Sequence, residues 1–186
     1  MKKRALALIL GVMMVASVTG CGRKNPPAPA PAPAPVTTTQ VANPYVYYNT
    51  YDELASAAGY YPMYLEVEGF GSPTFALVDQ SMVDISIVES ETQEVVYRTT
   101  PFYIYEGSEY TITGIDGVTY YTYDYDGYTI YSGTYYDSTY GTTYIYYWNM
   151  DTNHGERCYC IEITGEDETF VSWISEQAIL QTETIN

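Results

Sequence analysis

A two-residue alternation between residues 119 and 148 is the feature that most limits what this chain can fold into. Tyrosine occupies almost every second position there, in TYYTYDYDGYTIYSGTYYDSTYGTTYIYYW. A period of two places successive side chains on opposite faces of a strand, and tyrosine suits a half-buried strand face. Asp126-Gly127 divides two alternating runs and predicts a tight hairpin, because both central residues of such a turn need positive φ. The segment is therefore predicted to be β-sheet rather than a low-complexity tail.

The hairpin also predicts which side chains share a face. The face that contains Tyr123 is expected to pack in the core, whereas the face with Tyr120 and Tyr131 is left open. Residues 133–141 are predicted to form a polar connection, and a further strand is predicted over 142–149. The predicted cross-strand pairs on the core face are Tyr125 with Tyr128, Tyr123 with Ile130, and Tyr121 with Ser132.

Two helices are predicted to flank the strands. Thr50 and Glu53 have the spacing of a capping box before a short helix, and Gly59 suits its C-terminal cap. A helical period over 167–181 predicts a second helix. The order helix, strands, helix predicts an α+β fold, in which a strongly twisted, antiparallel, multi-stranded sheet packs against a short N-terminal helix and a C-terminal helix. The other predicted strands are 64–68, 74–78, 83–88, 93–99, 109–115 and 157–164.

The first 20 residues predict targeting rather than folding. Basic residues 2–4 precede an uncharged apolar run, 5–18, which is shorter than the roughly 20 residues of a transmembrane helix. Val18-Thr19-Gly20-Cys21 resembles the lipobox of bacterial lipoproteins. The resemblance implies cleavage before Cys21, lipidation of its sulfur, and an anchor on the extracytoplasmic face of the cell membrane. An ordinary signal peptide with a chance cysteine is the alternative, and the choice between a Gram-positive membrane and a Gram-negative outer membrane stays open.

Proline-alanine repeats separate this signal from the rest of the chain. The segment 23–40 favours polyproline II and has no apolar pattern that could build a core. The chain is therefore predicted to consist of a signal peptide (1–20), a lipidated cysteine with a Pro/Ala-rich linker (21–42) and an acidic, tyrosine-rich α+β domain (43–186).

The charge of that domain limits its partners. Residues 43–186 contain all 23 Asp and Glu but only two basic residues, Arg98 and Arg157, so their formal charge is −21. Such a surface repels phosphates and anionic lipids, which excludes nucleic acid as a partner. It favours cations or basic partners, or serves solubility alone. An aromatic content of 16% distinguishes the chain from acidic disordered sequences, which are poor in aromatics.

The start of the domain resembles a known group of proteins. Asn43-Pro44 and YDELASAAGY over 51–60 resemble the NP…YxSLEEAxxAxGF opening of a family of uncharacterised lipoprotein and surface domains of Firmicutes. Trp148, Tyr159 and Ile161 continue the match weakly, whereas the tyrosine excess and residues 133–141 depart from it. The family has no assigned activity, so the resemblance implies no functional residues.

Several residues were considered for chemistry. Cys158-x-Cys160 places two thiols on one strand face, where zinc binding with His154 or a redox pair competes with simple packing. Asp124-x-Asp126-Gly127 matches part of a calcium loop, but a hairpin explains it equally. Phosphate loops, G-x-S-x-G and HExxH are absent from the sequence. We therefore predict no catalytic residues, no metal site and no cofactor.

The predicted function is non-catalytic binding or scaffolding by a membrane-anchored, extracytoplasmic lipoprotein. A cell-wall glycan or another envelope protein is the expected partner. A calcium- or carbohydrate-binding envelope module that uses acidic loops and exposed tyrosines is the alternative, and an unrecognised envelope enzyme is a second one. The candidate binding surface consists of Tyr120, Tyr131, Tyr135, Tyr136 and Tyr140.

The anchor is tested by the Cys21→Ala substitution. We expect the variant to leave the membrane fraction, because the thioether-linked lipid needs the cysteine sulfur and each buried methylene contributes about 0.8 kcal/mol to anchoring. Immunoblots of membrane and soluble fractions measure the change, with Ser17→Ala as a control inside the signal. A variant that stays membrane-bound like the wild type would contradict lipidation at this residue.

Overall fold

One antiparallel sheet organises the described part of the chain, which in this computed structural model is residues 43–67 and 69–185. The architecture is α+β, as predicted. The predicted signal peptide, Cys21 and the linker lie outside the described residues. The strands are β1 (Tyr45–Tyr48), β2 (Thr74–Val78), β3 (Met82–Val88), β4 (Glu94–Thr100), β5 (Tyr120–Tyr125), β6 (Tyr128–Asp137), β7 (Gly141–Thr152) and β8 (Gly155–Thr164). The helices are α1 (Tyr51–Ala58), α2 (Tyr110–Thr113) and α3 (Glu168–Ile185).

The strand order is β1-β2-β3-β4-β8-β7-β6-β5, with all neighbours antiparallel. Two meanders, β1–β4 and β5–β8, therefore meet at the β4–β8 pair. The segment 101–119 joins them and carries the chain from the centre of the sheet to its far edge. This leaves β1 and β5 as the two edge strands.

The main core lies on one face of the sheet, here called the helix face. Tyr97, Trp148 and Tyr159 are fully buried there together with the apolar side of α3. Aromatic side chains of this kind bury about 150–250 Å² each, a gross contribution of about 4–6 kcal/mol. The indole nitrogen of Trp148 donates to Thr182 Oγ1 at 3.3 Å, so its one polar atom is satisfied.

A second, smaller core lies on the opposite face, here called the connection face. Ile104 and Ile112 of the segment 101–119 cover Ile145, Tyr147 and the two cysteines of β8. Gly133 in β6 allows the segment 101–119 to pack closely against the sheet, because a Cβ at this position would lie 2.6 Å from Val118 Cγ1. The sheet is therefore covered on both faces near its centre.

The predicted strand at 64–68 is wrong for the described residues of that range. Residues 61–67 run without regular structure along the helix face, with Met63 and Val67 buried. Side chains replace a neighbouring strand: Met63 N donates to Thr99 Oγ1 at 3.2 Å, and Gln181 exchanges two hydrogen bonds with the Tyr64 backbone at 3.1 and 2.6 Å. The apolar residues of this segment therefore pack on the core from across the sheet face, and not from within a strand.

The predicted strand at 109–115 is also wrong. Residues 110–113 form the short helix α2, which Gly114 ends in the left-handed conformation with φ 67°. Ile112 and Thr113 are neighbours and are both buried, and a half-exposed strand would separate them. The helix instead turns both toward the connection face.

The predicted polar connection at 133–141 proved largely to be strand. β6 continues to Asp137 and β7 begins at Gly141, so three residues form the turn. Asp137 Oδ1 accepts from Thr139 N at 2.7 Å and Tyr140 N at 3.1 Å, which satisfies the amides of that turn. The capping box before α1 is confirmed with a shift of one residue, since the Glu53 carboxylate accepts from Asn49 N.

A partly buried ion-pair network ties the two meanders together on the connection face. Arg98 of β4 donates from Nε to Asp84 Oδ2 of β3 at 2.8 Å and from Nη1 to Glu162 Oε1 of β8. The same Nη1 donates to the Thr113 backbone oxygen at 3.4 Å. Burial raises the pKa of Glu162 from 4.5 to about 7 despite the neighbouring guanidinium. Glu162 is therefore the member of the network that responds to mild acid.

This shift predicts how stability depends on pH. The native state holds a proton on Glu162 between about pH 4.5 and 7, where the unfolded chain releases it, so its contribution to the free energy of unfolding falls as pH rises through that window. Glu162→Gln should remove this fall and leave the Arg98–Asp84 pair intact. Urea unfolding at pH values from 4.5 to 8 measures the free energy of unfolding of the wild type and the variant. The control is Glu176→Gln, a substitution at an exposed position. Equal pH slopes for wild type and Glu162→Gln would refute the assignment.

Candidate functional site

The five tyrosines predicted as a binding surface do not lie together. Tyr120 and Tyr131 are on the connection face and pack against buried Tyr147, with ring centroids 5.3 Å and 4.5 Å away. Tyr135, Tyr136 and Tyr140 lie in and beside the β6–β7 turn and are exposed. The first two therefore serve packing, and only the last three are available to a partner.

The opposite face of the β5–β6 hairpin differs from expectation. The predicted pairs Tyr121–Ser132, Tyr123–Ile130 and Tyr125–Tyr128 are confirmed. However, Tyr121 and Tyr123 are 72% and 41% exposed, so the expectation that this face packs in the core is wrong for them. Tyr121 and Tyr123 lie on β5, which is the edge strand of the sheet. Ile130, Tyr125 and Tyr128 belong to the main core.

Two small hydroxyl side chains of β6 lie beside tyrosines of the neighbouring strands. Ser132 pairs with Tyr121 of β5 on one side and with Tyr146 of β7 on the other. Thr134, two residues further along β6, pairs with Tyr144 of β7. Strands lie about 4.8 Å apart, so tyrosines on β5 and β7 stand about 10 Å from each other across this row of hydroxyls.

We call this surface the tyrosine groove. It has a floor of small hydroxyl side chains and walls of phenol rings, and it lies on the helix face at the β5 edge of the sheet. Tyr136, on the same face and 72% exposed, extends it along β6. Its members are Tyr121, Tyr123, Ser132, Thr134, Tyr136, Tyr144 and Tyr146.

The phenols of Tyr123 and Tyr146 are neutral hydrogen-bonding groups at physiological pH. Partial burial raises the pKa of Tyr123 to about 12, with Tyr146 and Glu176 adding to the shift. Burial also raises the pKa of Tyr146, and the negative charge of Glu168 acts in the same direction. Two carboxylates of α3 are thus close enough to influence the groove, and they make its surroundings negative.

The two arginines of the described residues point inward. Arg98 is enclosed by Asp84 and Glu162, as described above. Arg157 is 7% exposed, and its guanidinium carbon lies 4.6 Å from the centroid of the Tyr60 ring. The exposed surface of the described domain therefore presents carboxylates without lysine or arginine among them.

The cysteine pair lies on the connection face, opposite Tyr159 and Ile161 as predicted. Cys158 and Cys160 are free and fully buried, and burial raises the pKa of both thiols. His154 is exposed in the β7–β8 turn. Among the described residues, no three His, Cys, Asp or Glu side chains form a group that could hold a metal ion.

The Asp124–Gly127 segment is a hairpin turn. Asp126 and Gly127 have φ values of 48° and 86°, as the tight turn requires. The Asp124 carboxylate accepts a hydrogen bond from the Thr129 hydroxyl at 3.3 Å across the hairpin. The turn geometry alone thus accounts for these residues.

The candidate lipid anchor, Cys21, lies outside the described residues. Of the helices within residues 43–67 and 69–185, none combines the length and apolar character needed to cross a membrane.

Comparisons with known proteins add no assignment to this geometry. No family model, no curated protein and no solved structure matches the chain.

Proposed function

We propose that this protein is a membrane-anchored, extracytoplasmic binding module without catalysis of its own, and that the tyrosine groove is its ligand-binding surface. The observation that carries the proposal is the row of Ser132 and Thr134, in which Ser132 lies between Tyr121 of β5 and Tyr146 of β7 and Thr134 lies beside Tyr144 of β7. A fold that needed these rings only for packing would cover them. Here Tyr121 and Tyr123 stand exposed on the edge strand β5, while Tyr144 and Tyr146 of β7 are only partly buried against the main core.

A glycan is the ligand class that this surface suits. Sugar rings have apolar faces that pack on aromatic rings, and their edges carry hydroxyls that need hydrogen-bond partners. The groove offers both: phenol walls for the faces, and serine, threonine and tyrosine hydroxyls for the edges. Tyrosine also provides a large contact area with little side-chain entropy to lose on binding.

Charge narrows the ligand class further. The domain carries a formal charge of −21, and Glu176 and Glu168 lie close enough to the groove to help raise the pKa values of Tyr123 and Tyr146, respectively. An anionic polysaccharide would be repelled on approach. The proposed ligand is therefore a neutral or amino-substituted glycan, such as the wall glycan expected from the lipobox and the linker.

The predicted anchor agrees with this role. The sequence of residues 23–40 favours polyproline II, and a linker of 18 such residues would span roughly 55 Å at about 3.1 Å per residue. Such a reach would present the groove to polymers outside the membrane.

The groove is tested by removing single rings. We expect Tyr121→Ala and Tyr146→Ala each to weaken glycan binding about fivefold, since an aromatic contact contributes about 1 kcal/mol. Retention of the full chain on chitin, chitosan, cellulose and purified peptidoglycan measures this, in a detergent without a sugar headgroup. Tyr110→Ala is the matched control, because Tyr110 is 63% exposed and lies outside the groove on α2.

The binding results distinguish an error about the site from an error about the ligand class. Equal losses for Tyr121→Ala and Tyr110→Ala would reject the groove as the site. Retention on none of the four polymers, together with cross-linking of an envelope protein through the groove, would replace the glycan by a protein partner.

A further inference from the structure

A second concave site shares no residue with the tyrosine groove. It is a cleft of about 530 Å³ between the C-terminal end of α1, the β7–β8 turn and the last turn of α3. Its polar walls include Asp52, Ser56, Tyr60, Tyr61, His154 and Arg157. The cleft thus holds one of the two arginines of this acidic domain together with its one histidine.

Arg157 lacks an anionic partner in the described part of the chain. Its Nη1 donates to the Glu156 backbone oxygen at 2.7 Å, and its Nη2 donates to the His154 backbone oxygen at 3.3 Å. These two bonds use two of the five N–H groups of a guanidinium. Arg98, by contrast, binds two carboxylates. A nearly buried guanidinium without a carboxylate partner among the described residues is unexpected in a domain with 23 acidic residues, because buried charges are normally paired.

The guanidinium is held in place before any ligand arrives. The Tyr60 hydroxyl lies 2.9 Å from both the Ser81 and the Thr99 backbone oxygens, which fixes the ring against the sheet. Arg157 lies over that ring, and the carbonyls of the β7–β8 turn orient its terminal nitrogens. A donor group fixed in this way loses little entropy when it binds.

We propose that this cleft binds a single carboxylate, with Arg157 as the recognising group and the exposed ring of Tyr61 as an apolar contact beside it. The planar guanidinium matches a carboxylate through paired, charge-assisted hydrogen bonds. These hydrogen bonds form at contact distance. The repulsion between the bound anion and the exposed carboxylates of the domain is screened beyond about 8 Å at physiological salt.

The same cleft disfavours anions of higher charge. Asp52 lies in its wall, and phosphate brings more than one negative charge close to that carboxylate. The ligand class is thus a monocarboxylate, supplied by the C-terminal end of a peptide or by a sugar acid. This inference does not depend on the glycan proposed for the tyrosine groove.

The experiment compares acids with their uncharged amides. The full chain, in a detergent without a sugar headgroup, is titrated with N-acetyl-alanyl-alanine, with glucuronic acid, with the amide of each, and with inorganic phosphate. The Nε–H resonance of Arg157 is followed by nuclear magnetic resonance, since the chain has only four arginines. We expect one acid to shift this resonance and to bind at least about tenfold more tightly than its amide, with phosphate weaker than the acid.

Variants assign the binding to the cleft. Arg157→Lys keeps the charge but loses the planar fork, so we expect acid binding to weaken about tenfold. Asp52→Asn should strengthen phosphate binding relative to the carboxylate. Tyr61→Ala should weaken the acid, whereas Tyr105→Ala, which is equally exposed but lies elsewhere, should not.

The proposal is overturned if neither acid shifts the Arg157 resonance, or if acid and amide bind equally. The wild-type comparison decides this even if Arg157→Lys fails to fold. The arm that responds, peptide acid or sugar acid, identifies the source of the carboxylate.

Discussion

The pairing of β4 with β8 is the contact on which the rest of the structure depends. It joins the two meanders. Successive side chains of β4 and β8 point alternately into the main core and into the second core. Tyr97 and Ile161 of this pair face the helices, whereas Arg98 and Cys160 face the connecting segment. Arg98 adds a bond to each neighbouring strand through Asp84 and Glu162. A buried charge network of this kind is costly to break, so it favours one register of the central strands.

The use of both arginines in the interior shapes the surface. Arg98 balances the buried carboxylate of Glu162 and the partly buried one of Asp84, and Arg157 lies in the cleft beside α1. The outside of the described domain is left with carboxylates, hydroxyls and tyrosine rings. Such a surface favours neutral or cationic partners in general and concentrates positive charge at one recessed point. The tyrosine groove and the Arg157 cleft are thus two consequences of one charge distribution.

Local sequence signals predicted those elements whose partners lie nearby in the chain. The Asp126-Gly127 turn, the cap at Gly59 and the strand at 74–78 follow from short-range geometry. The errors at 64–68 and 109–115 have a common cause, because both segments lie across a face of the sheet rather than within it. Their apolar residues match the core beneath them, and an alternating pattern cannot distinguish these situations.

The sequence alone determined that the tyrosines alternate between two faces and that Asp126-Gly127 reverses the chain, since both are properties of neighbouring residues. It also determined the acidity of the domain. Only the tertiary structure decided which tyrosine face is covered: Tyr120 and Tyr131 pack on Tyr147, whereas Tyr121 and Tyr123 remain open. A tyrosine face is covered where segments distant in the chain cross the sheet. The two-residue alternation contains no information about those crossings. The position of Arg157 beside Tyr60 was decided in the same way, by residues almost 100 positions apart in the chain.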